Sequence, residues 1–98
     1  MQTYVIIRRD GWRTGPELGE AAARSAKVGD EEMPTDVRWI RSYVVQEEGG
    51  GLGTVCVYQA SSPEAIREHA ERAALPVDEI VPVADTVLVR PDPEPAQA

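Results

Sequence analysis

The sequence predicts an α+β fold, a ferredoxin-like β-α-β-β-α-β sandwich with a four-stranded antiparallel sheet and two helices on one face. Three observations predict it. Four segments are rich in β-branched and aromatic residues, two segments carry apolar residues at helical spacing, and a glycine-rich turn joins the two middle strands. With the elements in that order, the handedness of the connections favours the ferredoxin-like arrangement and places both helices on the same side.

Thr3 to Arg9 reads as the first strand, ended by the turn-prone Asp10-Gly11. Pro16 sits where a helix can begin, and Leu18, Ala21, Ala22, Ser25 and Val28 then form one stripe, with Glu17, Glu20, Arg24 and Lys27 opposite. This helix has two possible ends. Gly29 can cap it, or it runs on through Asp30 to Met33 and stops before Pro34, whose ring disfavours helical geometry in the preceding residue. Val37 to Val45 alternates as a strand, Gln46 to Gly51 makes the turn, and Thr54 to Gln59 returns as the next strand of a hairpin. The three glycines at 49–51 do not make a phosphate loop, since such a loop needs a helix directly after it and a strand follows here. Ser61-Ser62-Pro63-Glu64 is a helix start, with a serine cap, a proline in the first turn and a carboxylate at the positive end of the dipole. That helix runs to about Ala74 with Ile66, His69, Ala70 and Ala73 on one face. Ile80 to Arg90 reads as a long valine-rich final strand.

The chain's 98 residues suffice for one domain, placed at 1–90, and the proline-rich tail at 91–98 is expected to be disordered. No apolar run approaches the ~20 residues of a membrane span, and the charges of Arg8-Arg9 follow the first apolar run rather than preceding it as in a secretory signal. Cys56 has no partner for an intrachain disulfide, which fits a reducing compartment and a cytoplasmic location. A net charge of -7 argues against nucleic-acid binding, which relies on a basic surface. Arg8-Arg9 and Arg38 with Arg41 read as solvated strand edges.

Strand parity offers two sets of side chains. The compact aliphatics Val5, Ile7, Ile40, Val44, Val55 and Val57 are expected beneath the alanine-striped helices. Tyr4, Ile6, Trp39, Tyr43, Cys56 and Tyr58, with Arg8 and Arg41, then fall on the other face. An aromatic face of that kind marks an interface or a ligand groove. Two such sheets closing across a twofold axis would make a homodimeric α/β barrel, with a pocket lined by Trp39, Tyr43, Cys56 and Tyr58.

The segments Arg38-Trp39-Ile40-Arg41-Ser42-Tyr43-Val44, Cys56-Val57-Tyr58, Ser61 to Ala70 and Leu75 to Ile80 resemble, in that order, a family of small bacterial nickel-binding or nickel-responsive proteins of largely unknown function. The resemblance spans roughly residues 3 to 90. It implies a ferredoxin-like fold, a dimer and nickel as a ligand. Imidazole is the usual protein ligand for that ion, with thiolate and carboxylate as alternatives, and this chain has one histidine. The candidate metal ligands are therefore His69 and Cys56, although the expected parity puts them on opposite sides of the sheet unless it is reversed. Three functions follow: a metal-binding dimer that is not an enzyme, a small-molecule-binding or monooxygenase-like protein using the dimer lumen, and a structural or regulatory dimer. The second rests on fold analogy.

Overall fold

The computed structural model describes residues 1–95. Its elements are β1 (Gln2–Trp12), α1 (Gly15–Lys27), a π-helical turn (Val28–Glu32), β2 (Val37–Gln46), β3 (Leu52–Ala60), α2 (Pro63–Ala73) and β4 (Glu79–Pro82). The sheet runs β2-β3-β1-β4, and every neighbouring pair is antiparallel. This is the ferredoxin-like order read from the sequence. Among the described residues no helix is long and apolar enough to cross a membrane.

The helix starts are built as their residues dictate. Thr14 Oγ1 accepts the amide of Glu17 at 3.3 Å while the Glu17 carboxylate accepts that of Arg13 at 2.9 Å, so one orphan donor of the first turn and the amide just before the cap are both satisfied. Ser62 Oγ accepts the Ala65 amide at 3.1 Å at the start of α2. Of the two endings open to the first helix, the chain takes the longer. It continues through the π-helical turn to Met33 and breaks before Pro34.

Two strand boundaries differ from expectation. β1 continues past Asp10-Gly11 to Trp12, because Asp10 adopts a left-handed φ of 48° and the register shifts there by a bulge instead of ending. β4 stops at Pro82 rather than Arg90. Pro82 has no amide to donate, and after one further bond, Val83 N to Thr3 O at 2.9 Å, the chain leaves the sheet. Val87, Leu88 and Val89 are consequently exposed and outside any strand. The tail expected at 91–98 forms no helix or strand over 91–95, where Asp92 bonds Arg41 and Tyr43; residues 96–98 of that expectation lie outside the described residues.

The parity of the sheet is the reverse of the one expected. Tyr4, Ile6, Cys56 and Tyr58 are buried beneath the helices with Val28, Met33, Val37, Ile66 and Ala73 in one core. Val5, Ile7, Val55 and Val57 are half-buried on the opposite, open face. The physical reason is volume. Alanine and serine stripes on the helices leave deep space that large rings from the sheet fill, whereas small branched side chains would leave voids. In β2 the register shifts between Trp39, paired with Tyr58, and Arg41, paired with Val57. The extra residue, Ile40, flips the alternation, so Trp39 lies on the helix side while Arg41 and Tyr43 lie on the open face.

Candidate ligand cavity

The space between α1 and the sheet is not completely filled. A cavity of about 270 Å³ remains. Its helical wall is low because α1 presents Gly15, Gly19 and Ala22 there, with Leu18 between them. Trp12 from β1 and Trp39 from β2 supply flat apolar surfaces, and Trp39, 37% exposed, forms the rim together with Val44. The Trp39 ring stacks on that of Tyr58, with centroids 6.1 Å apart and planes 8° from parallel.

Polar groups are few and arranged in two chains. Along the wall made by β2 and β3, Trp39 Nε1 donates to Ser42 Oγ (2.8 Å), Ser42 Oγ donates to Cys56 Sγ (3.0 Å), and Cys56 Sγ donates to Thr54 Oγ1 (3.4 Å). At the floor, Tyr58 OH and Ser25 Oγ share a hydrogen bond of 2.7 Å, and His69 Nε2 lies 3.0 Å from the Ser25 carbonyl. Since a carbonyl only accepts, Nε2 carries the hydrogen and Nδ1 is the bare nitrogen of a neutral ring. Burial lowers the His69 pKa below its ordinary value, which the hydrogen bond to Ser25 only partly opposes and the nearby Arg8 charge reinforces. Burial likewise raises the Tyr58 pKa, so the phenol stays protonated.

Arg8 also departs from its reading in the sequence. Read there as a solvated strand edge, it is 1% exposed and lines the cavity. Nη1 donates to the carbonyl of Pro76 at 2.6 Å, whereas Nη2 is buried without a partner. The signal was its alternation with Tyr4 and Ile6, the residues that turn out to be buried on that strand.

Of the four pocket candidates, Trp39, Cys56 and Tyr58 line this one cavity, within a single chain rather than between two sheets. Tyr43 does not; it lies on the open face, where its hydroxyl donates to Asp92 at 2.9 Å. Ser25, Ser42, Thr54 and Trp12 also line it and were not singled out as site residues from sequence. With the parity reversed, His69 and Cys56 do share the helix side of the sheet, yet no hydrogen bond joins them. His69 packs against Tyr58, with ring centroids 5.4 Å apart, while Cys56 bonds Ser42 and Thr54.

Residues 4–83 match the family described as Nickel responsive protein SCO4226-like. The chain belongs to that family. A crystal structure of SCO4226 from Streptomyces coelicolor A3(2) is similar to this SCO4226-like chain, with a TM-score of 0.69 and 22% identity, over 87% of this chain and 99% of that one. At that identity the likeness shows the fold. No curated protein matches the chain. The family description raises the question of nickel, and the donors described in a single copy of this chain do not fit the ion. Among the described residues no three of His, Cys, Asp and Glu gather where they could hold a metal, and the single imidazole is committed through Nε2 to a backbone carbonyl.

Proposed function

We propose that this member of the nickel-responsive family is a small-ligand-binding protein whose site is the cavity between α1 and the sheet. The observation that carries the reading is a space of about 270 Å³ walled by two tryptophans and a glycine-notched helix. That combination of flat apolar surface and a few fixed polar groups is how small-molecule sites are built. Binding rather than catalysis is favoured by the bonding of the reactive groups. Cys56 Sγ is bonded to hydroxyls and has no base in hydrogen-bond reach, and the histidine is turned to a backbone carbonyl. The test is a titration with indole followed by backbone amide shifts. Perturbations should concentrate on α1, β2 and Trp12, and Gly19→Phe should abolish them, because Gly19 lines the cavity and a Cβ there meets no atom within 4 Å, leaving a ring free to occupy the space. Indole that leaves those amides unmoved would end the reading.

A second reading, nickel binding by the protein itself, is favoured by the family description. With one histidine and one cysteine per chain, it requires donors from two copies, and His69 and Cys56 are the candidates of each. Isothermal titration with a nickel salt tests it: binding tighter than about millimolar that His69→Ala removes supports it, and heat of dilution alone ends it. A homodimer belongs to both readings, supported by the apolar open face of the sheet, and the unpaired thiol of Cys56 supports cytoplasmic residence.

A further inference from the structure

We infer that the cavity selects a small planar apolar molecule bearing one carboxylate, and that Arg8 is the group that receives the carboxylate. This rests on the cavity being a ligand site and names the class of ligand. Arg8 keeps its charge under all ordinary conditions, and a charge removed from water demands compensation by a partner of opposite sign. The chain has 17 carboxylate side chains, all of them described, and none forms an ion pair with Arg8. Arg9, its neighbour, has such a partner in Glu47, at 3.0 Å on the surface. Among the described residues the buried arginine makes one hydrogen bond, from Nη1 to Pro76 O, and Nη2 makes none.

The remaining walls define the rest of the ligand. A single guanidinium neutralises a single negative charge, and no second cation lines the cavity. A phosphate dianion would therefore keep an uncompensated charge in an apolar space, whereas a monocarboxylate would not. Trp12, Trp39 and Leu18 face the body of the ligand with flat or aliphatic surface. The volume lies just below the usual range for small-molecule sites, which suits one ring system rather than a nucleotide or a lipid chain. Nη2 is buried beside the cavity rather than open to it, so a small turn of the guanidinium about Nη1, held on Pro76, brings it to a ligand oxygen.

Three probes of nearly equal shape test this: indole-3-carboxylate, indole-3-carboxamide and indole, each titrated against the full chain and followed by amide shifts. Indole-3-carboxylate should bind about 10- to 100-fold more tightly than the carboxamide, the ratio expected for a charge-assisted hydrogen bond. Arg8→Met should erase that ratio while retaining indole. Equal affinities for carboxylate and carboxamide in the wild type would overturn the role of Arg8 and leave the cavity reading standing. Failure of all three probes to bind would overturn both. The wild-type comparison needs no variant, so it decides the matter even if Arg8→Met does not fold, and inorganic phosphate binding more tightly than indole-3-carboxylate would overturn the choice of a monocarboxylate.

Discussion

Tyr58, Ser25 and His69 form the polar seam of an otherwise apolar core, and each depends on the next. The phenol of Tyr58, 2% exposed, has Ser25 Oγ as its partner at 2.7 Å. Tyr58→Phe leaves that serine hydroxyl buried without its bond, so a loss of about 1–2 kcal/mol is expected in urea denaturation. Ser25→Ala in the Tyr58→Phe background should recover part of it, because removing both partners costs less than orphaning one. His69 makes the seam sensitive to acid. Burial holds its folded pKa below the ordinary value near 6.5. Above that value the ring is neutral whether the chain is folded or not, and stability is complete. As pH falls below it, the unfolded chain takes up a proton that the folded one refuses, and stability declines by at most about 1.4 kcal/mol per pH unit. The decline levels off once pH passes beneath the lowered folded pKa. Denaturation midpoints between pH 7.5 and pH 5 should show this slope in the wild type and a shallower one in His69→Gln; parallel profiles would remove His69 as the cause.

The two helices were legible in the sequence and the faces of the sheet were not, for a reason in the patterns themselves. In α2 the residues Ile66, His69, Ala70 and Ala73 make one apolar stripe against a charged remainder, which admits a single orientation, and those four are the buried ones. In β1 and β3 both alternating sets are apolar, Val5 and Ile7 against Tyr4 and Ile6, Val55 and Val57 against Cys56 and Tyr58, so period-two reasoning has no bias to read. The bulge at Ile40 carries no sequence mark either, and it alone separates Trp39 from Tyr43. The cavity depends on both features, which is why three of its residues were named from sequence and then assigned to the wrong enclosure. Element ends give sharper expectations. Ala74 closes α2 with φ of 55°, a conformation that costs a residue with a Cβ about 1–2 kcal/mol. After the extra freedom of glycine in the unfolded chain is deducted, Ala74→Gly should stabilise by about 0.5–1 kcal/mol in thermal denaturation. Gly53 is the opposite case. A Cβ there would lie 2.6 Å from the Arg8 carbonyl oxygen and 2.8 Å from Glu47 Oε2. Gly53→Ala should therefore force β1 and β3 apart where the Arg9–Glu47 pair closes the sheet, lowering the melting temperature; an unchanged melting temperature would show that the strands yield freely.

At the scale of the molecule, the sheet has one face under the helices and one without them, and the second is apolar at its centre. Val5, Ile7, Val55 and Val57 lie there side by side across β1 and β3, with Val81 at one edge and Tyr43 at the other. The chain after β4 turns back toward it. β4 and β2 are at opposite edges of the sheet, yet Asp92 bonds Arg41 at 2.6 Å and Tyr43 at 2.9 Å, so the segment from 83 to 92 spans the width between them. It does so without seating Val87, Leu88 or Val89, which stay exposed. A second copy meeting this face would cover both the central valines and those three residues, the apolar core with a charged rim that stable interfaces use. Val57, in the middle of the patch and on the side of the sheet away from the cavity, separates the two parts of the molecule experimentally. Light scattering should give the wild type twice the chain mass of 10.7 kDa and Val57→Lys that mass once, since a buried lysine on each side of a twofold axis repels its mate. Indole should shift the same amides of α1 and β2 in both proteins, because nothing of the cavity wall comes from the open face. A wild type that scatters as a single chain at micromolar concentration would remove the dimer and leave the cavity untouched; loss of indole binding in a monomeric Val57→Lys would instead show that closure of the cavity depends on the second copy.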